Sequence, residues 1–310
     1  MLRRILLFAS RHDRVRTFLQ TLPASRAIVE RFIAGEAAAD AVAAGSALVA
    51  GRLSVTYNFL GEYADDPQQI VRTRDAFVAF ARLLEDGGLG SAVSELSLKL
   101  SALGQLLGAD GPARALDHAR HICAAASEAG VLVTLDMEDH TSTDSTLDIA
   151  RELRRDFPLT GVAIQAALRR SPADCADLQR AGARVRLVKG AYREPDSVAL
   201  QRRSDVDRAY VRCLRTLFAG DAHPLVATHD PRLISISAEL ARRHGRDATG
   251  FEHQMLFGVR SDEQRRLAAA GNTVRVYLPF GPEWYGYFTR RLAERPANTL
   301  FFLRALTQSG

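Results

Sequence analysis

From residue 53 onward, short runs rich in apolar and β-branched residues alternate with capped amphipathic stretches, and this alternation recurs eight times. The runs are Leu53–Leu60, Val93–Leu100, Val131–Met137, Gly161–Ala166, Arg184–Lys189, Pro224–Thr228, Gly250–Leu256 and Thr273–Pro279. Several are apolar almost throughout, as in Val131-Leu132-Val133-Thr134-Leu135, the pattern of parallel strands buried on both faces. Asp66-Pro67, Ser171-Pro172 and Asp230-Pro231 each place a capping residue before a proline suited to a first helical turn. Ser261 followed by Asp262 and Glu263 is a further start, and Gly87-Gly88, Gly130, Gly182, Gly245 and Gly271 mark ends. Strands alternating with helices close into a (β/α)8 barrel of the TIM type or form an open doubly wound sheet. No GxGxxG follows the first strand, which favours the barrel. The Ala-rich first 50 residues, with helical spacing and no strand signal, are expected to form an extension of two or three helices, with residues 51–310 as the barrel.

Charge narrows the partners. The 310-residue chain carries a net charge of +5, with a pI near 9.4, which by itself is compatible with nucleic acid or an anionic membrane surface. Most arginines, however, alternate with acids on predicted helices, as in Arg151-Glu152-Leu153-Arg154-Arg155-Asp156, the composition of a solvated helix face. No zinc-finger spacing or aromatic–basic reader motif accompanies them, so nucleic acid is not an expected partner. Cys123, Cys175 and Cys213 fit neither a disulfide framework nor a CxxC site and read as reduced, buried thiols in a cytoplasmic protein. The apolar run Ile5–Ala9 is too short for a signal core, and no stretch reaches the length of a membrane span, so any membrane contact is expected to be peripheral.

In a barrel of this kind the chemistry sits at the C-terminal ends of the strands. Lys99 lies near the end of the second; it either points into the mouth or lies outside against a helix. Asp136 ends the third, followed by Met137, Glu138, Asp139 and His140. This cluster reads as a divalent-metal site or as a solvated loop with one ion pair; no second histidine has ligand spacing, so no metal is expected. Gln165 ends the fourth strand. In the fifth, alternation puts Arg184, Arg186 and Val188 on one face, with Lys189 at the end and Gly190, which allows close backbone approach of a ligand, next. Two cations there suggest an anionic ligand such as a phosphate or a reduced flavin. Thr228-His229-Asp230 ends the sixth strand, where a histidine serves either structure or ligand binding, and position favours the ligand. After Tyr277 and Gly281-Pro282 a helix begins, and Tyr287, Arg290, Arg291 and Glu294 share one of its faces. That face is either solvated with Arg–Glu pairs or closes the mouth, its two guanidinium groups gripping a carboxylate.

Taken together, Leu60-Gly61-Glu62, Lys99-Leu100-Ser101, Leu135-Asp136, Leu187-Val188-Lys189-Gly190-Ala191-Tyr192, Ala227-Thr228-His229, Gln254-Met255-Leu256 and Tyr287-Phe288-Thr289-Arg290-Arg291-Leu292-Ala293-Glu294 resemble the proline dehydrogenase family. The motifs run in order over nearly all of the chain after residue 50, and its length suits the short monofunctional bacterial form. The resemblance implies a distorted barrel whose last helix caps the mouth. It also implies bound FAD, and oxidation of L-proline to Δ1-pyrroline-5-carboxylate with electrons passed to a membrane quinone. By the same carry-over, Arg290, Arg291 and Lys99 hold the substrate carboxylate, and Tyr277, Tyr287, Tyr192 and Leu256 wall its ring. Gln165, Arg186, Val188, Lys189, Gly190, Ala191, Thr228, His229 and Glu294 contact the flavin, with backbone near Met137. Asp136 orients the substrate site, and Arg186 favours the anionic reduced cofactor. Asp230 and Phe257 depart from residues frequent in the family, Asn and His, which leaves the flavin edge less defined than the reaction. Two other functions compete: a Schiff-base lyase using Lys189 or Lys99, which leaves the Arg290–Arg291 face without a role, and a basic binding module without catalysis.

Overall fold

The structure, a computed structural model, describes residues 29–61 and 66–288. Eight parallel strands close into a barrel in chain order: β1 (Ser54–Phe59), β2 (Ser94–Leu98), β3 (Leu132–Leu135), β4 (Gly161–Gln165), β5 (Arg184–Val188), β6 (His223–Ala227), β7 (Glu252–Leu256) and β8 (Val274–Phe280), with β8 pairing back to β1. Each falls within or beside the run that predicts it, the edges shifting by one or two residues. The helices are α1 (Ala38–Ala50), α2 (Pro67–Asp86), α3 (Gly111–Glu128), α4 (Thr143–Asp156), α5 (Ser171–Arg180), α6 (Arg203–Phe218), α7 (Pro231–Arg243) and α8 (Ser261–Ala269).

The caps explain most starts. Asp66 accepts from the Gln68 and Gln69 amides, and Asp230 from the Arg232 amide, so both prolines stand in the first helical turn as expected. Ser171 does not cap α5: it is the first helical residue, and its hydroxyl donates instead to the Gln165 carbonyl at 2.5 Å, tying the helix to the end of β4. Likewise α8 is preceded by Arg260 in the left-handed region (φ +53°), and Ser261 is already helical. On the outer faces the arginines pair along their helices, as Arg151 with Asp148, Arg155 with Glu152, and Arg242 and Arg243 with Glu239. Such exposed pairs each contribute well under about 1 kcal/mol. Cys123, Cys175 and Cys213 are free and buried.

The helix that flanks β8 and β1 comes from ahead of the first strand. Residues 1–28 of the expected N-terminal extension lie outside the described residues. The described part, α1, packs against β1 and β8, where a helix following β8 would lie in a regular barrel. After β8 the chain turns at Gly281 (φ +122°) into helical residues 284–288. There Trp284, Tyr287 and Phe288 bury themselves with Phe32, Ile33, Leu60 and Val259, beside the C-terminal ends of β1 and β7. The start of the last segment therefore sits at the mouth.

Docking of α1 depends on one missing side chain. A Cβ on Gly45 would stand 1.9 Å from the Tyr57 hydroxyl of β1, and Tyr57 is fully buried. Gly45→Ala is therefore expected to destabilise the protein by about 1–3 kcal/mol through overpacking, despite the gain in helix propensity. Denaturant unfolding checks this, and an unchanged midpoint would show that α1 shifts without cost.

Candidate active site

Register settles which side chains enter the barrel. Thr56 pairs with Glu95, Ser97 with Thr134, Ala163 with Arg186, Gln165 with Val188, and Gln254 with Arg275, so these residues lie on matching faces around the ring. Three guanidinium groups (Arg184, Arg186, Arg275) and two carboxylates (Glu95, Glu252) are buried inside, where most barrels of this type hold Val, Ile and Leu. On β4 the corresponding positions are Gly161 and Ala163, and a Cβ on Gly161 would meet Thr134 Oγ1 at 2.6 Å. Small residues there leave room for the arginines of β5.

The charges are matched by geometry. Arg275 donates to both Glu252 oxygens, at 2.7 and 3.1 Å, and to the carbonyls of Val55, Ala92 and Val93. Arg184 donates to Glu95 at 2.9 Å and stands 3.5 Å from Glu252. Burial alone would raise the Glu95 and Glu252 carboxyls, but the guanidinium groups outweigh it and hold both well below the usual carboxylate range.

Arg186 occupies the centre. Its Nε donates to Gln254 Oε1 at 2.7 Å and its Nη1 to Ser97 Oγ at 2.9 Å and Asp136 Oδ1 at 2.7 Å, while Nη2 donates to Glu95 Oε1. The guanidinium carbon lies 5.3 Å from the centroid of the Tyr277 ring, whose hydroxyl donates to Asp136 Oδ2 at 2.7 Å. Asp136 thus bridges a cation and a phenol at the end of β3. Burial and the Asp136 charge push the Tyr277 phenol well above its ordinary value, so it remains a donor. With four of the five guanidinium N–H groups used, one on Nη2 is left for a ligand.

Around this centre stand the other candidates. Lys99, half-buried, follows β2 and lines a cavity with Phe59, Phe77, Ser97, Ser101 and Ala102; its ammonium has no hydrogen bond or ion pair among the described residues. Met137 is buried, and Gln165 Nε2 donates to the adjacent Glu138 carbonyl at 2.7 Å. Val188 ends β5 half-buried. Lys189 pairs with Asp207 at 2.5 Å and lies 3.5 Å from Asp230, while Gly190 (φ +110°), Ala191 and Tyr192 follow on an exposed loop, Tyr192 being 44% exposed. Thr228 is buried and its hydroxyl accepts from the Asp230 amide; His229 Nε2 accepts from the Leu256 amide at 2.9 Å. Leu256 packs against the cluster that holds Tyr287. Arg290, Arg291, Glu294 and Glu62 lie outside the described residues.

The acids after Asp136 are each engaged. Glu138 accepts from the Ser101 amide at 3.0 Å and hydroxyl at 2.7 Å, Asp139 caps a short 3-10 turn, and His140 meets Glu194 at 2.5 Å. Among the described residues no three His, Cys, Asp or Glu side chains gather in a metal-binding arrangement. Sequence reasoning passed over Glu95, Glu252, Arg275 and Ser97. The signal was present, since Glu95, Ser97 and Lys99 alternate with the apolar residues Leu96 and Leu98, as Glu252 and Gln254 alternate in β7.

A flavin fits this mouth. A Cβ on Gly190 would come within 3.2 Å of both Ala167 Cβ and Gln165 Oε1, so the lack of a side chain is what lets the Gly190 backbone lie this close to the end of β4. The remaining Arg186 N–H, the Gln165 amide, Lys189 and the Thr228 hydroxyl make a donor-rich rim suited to a flat, anionic, hydrogen-bonding group.

These features define a (β/α)8-barrel enzyme with a polar, charge-balanced interior opening at the C-terminal ends of its strands. The sequence profile described as proline dehydrogenase matches residues 41–304, and the chain belongs to the proline dehydrogenase family. It is 39% identical over 281 residues to a proline dehydrogenase of Deinococcus radiodurans, covering 90% of each chain. To proline dehydrogenase 1 of Bacillus subtilis (strain 168) it is 35% identical, covering 99% of each chain. In fold it is similar to proline utilization A from Bdellovibrio bacteriovorus, a structure of the protein inactivated by N-propargylglycine, with a TM-score of 0.81 at 21% identity; the match covers 94% of this chain and 38% of that one.

Proposed function

We propose that the protein is an FAD-dependent L-proline dehydrogenase forming Δ1-pyrroline-5-carboxylate and passing electrons to a quinone at a membrane surface. Membership of the family supports proline as the substrate. The observation that carries the reading is the pairing, at one mouth, of a guanidinium (Arg186) with one N–H left for a ligand and an ammonium (Lys99) with no described hydrogen bond or ion pair.

The residues divide the work. Lys99, with Arg290 and Arg291, binds the carboxylate of proline by charge-assisted hydrogen bonds. Tyr277, Leu256, Tyr287 and Tyr192 form the wall against which the ring is oriented, and their bulk excludes water from the reacting carbon. Asp136 holds the Tyr277 ring and Arg186 in one arrangement, so the wall is preorganised. FAD, when bound, supplies the hydride acceptor. Gln165, Val188, Lys189, Gly190, Ala191, Thr228 and His229 would hold it, with Met137 and Glu294 contributing. The substrate nitrogen must shed a proton before hydride leaves its carbon. The described carboxylates near the mouth are committed to Arg186, Tyr277 and Ser101, so that proton leaves to water.

The purified protein is expected to be yellow and to lose its long-wavelength absorption on adding L-proline without oxygen. A flavin-loaded sample that keeps its colour would sink the assignment. A colourless protein trapped on Lys99 or Lys189 by borohydride with a carbonyl substrate would favour the lyase instead. No described helix is long and apolar enough to cross a membrane, and the quinone step is tested by vesicle-bound quinone reduction.

A further inference from the structure

Glu95 touches nothing at the mouth, yet it is the most constrained carboxylate in the barrel. It is fully buried, and each oxygen takes two donors: Oε1 from Thr56 Oγ1 at 2.8 Å and Arg186 Nη2, Oε2 from Thr134 Oγ1 at 2.8 Å and Arg184 Nη2 at 2.9 Å. The charges it joins alternate in sign along the barrel axis, from Glu252 through Arg184, Glu95 and Arg186 to Asp136. Arg186 therefore meets the mouth as a cation flanked by two carboxylates, its residual N–H fixed in direction from below.

We propose that Glu95 is a positioning residue that sets, through Arg186, the positive potential acting on the bound flavin. This rests on the flavin reading above. Two consequences follow from Coulomb's law in a weakly screened interior. Removing the Glu95 charge strengthens the field of Arg186 at the flavin. Removing Arg184, on the far side of Glu95 from Arg186, leaves Glu95 less compensated and weakens that field. A purely structural role would move both variants the same way.

Sulfite adds to oxidised flavin as a nucleophilic anion, and its affinity rises with positive charge near the ring, so it reports this field without turnover. Flavin-loaded Glu95→Gln is expected to bind sulfite about tenfold tighter than the wild type, and Arg184→Gln severalfold weaker. Gln at 95 keeps the shape and two of the hydrogen-bonding roles; Arg184→Gln leaves Glu252 with both Arg275 bonds. Should Glu95→Gln not fold, Arg184→Gln decides alone: weaker sulfite binding supports the inference, an unchanged affinity overturns it. Unchanged affinities in both, or parallel shifts, overturn it while leaving the flavin reading intact. A wild-type protein that takes up no flavin overturns both.

Discussion

Arg186→Met is expected to destabilise the folded protein by about 3–5 kcal/mol, because it removes one side of a buried ion-pair network and strands the other. Asp136 would lose its one cationic partner among the described residues, Glu95 would keep Arg184 as its remaining ion pair, and the Gln254 and Ser97 side chains would each lose a bond to the guanidinium. Met fills much of the volume, so the cost is electrostatic and not a cavity. Arg186→Lys should recover part of this, since an ammonium keeps the charge but lacks the planar fork that serves four acceptors on β2, β7 and the end of β3. Denaturant unfolding of the flavin-free protein measures both. A loss below about 1 kcal/mol for the Met variant would mean that the other arginines satisfy the network without Arg186.

Lys99→Met should do the reverse. The Lys99 side chain has no described hydrogen bond or ion pair, and Glu138 beside it keeps both bonds from Ser101, so stability should change by no more than about 0.5 kcal/mol. Burial raises the Glu138 carboxyl, and the Lys99 charge works against that rise; without Lys99 the carboxyl climbs further but still accepts from Ser101. Activity is another matter. A charge-assisted bond to the substrate carboxylate contributes about 1.5–3 kcal/mol, so kcat/KM for L-proline should fall about 10- to 100-fold. The two variants separate a cation that holds the barrel from one that waits for a ligand. If Lys99→Met unfolds the protein, or leaves kcat/KM intact, the carboxylate role fails.

The contrast also marks what could be read beforehand. Asp66-Pro67 and Asp230-Pro231 announced helices correctly because a carboxylate one residue before proline satisfies amides within the same few residues. Ser171-Pro172 looked the same and was not a cap, because the Gln165 carbonyl, six residues away at the end of β4, competed for the hydroxyl. Lys99, Asp136, Gln165, Arg186 and Tyr277 were recognisable since each is a polar residue at or near a strand end. Glu95, Glu252 and Arg275 lie deeper, where a buried charge looks improbable until its partners are known.

Those partners come from other strands: Glu95 meets Arg186 across 91 positions of chain and Arg275 reaches Val55 across 220. The alternation of runs and caps is local information, and with the residues at the strand ends it determined the barrel, the direction of its strands and the end that carries chemistry. Closure of the sheet decided the rest. It turned the charged side chains of β2, β5, β7 and β8 toward one axis, matched guanidinium to carboxylate there, and seated α1 against β1 and β8. Ion pairing falls off over a few ångströms, and the ångströms between distant residues exist only once the barrel has closed.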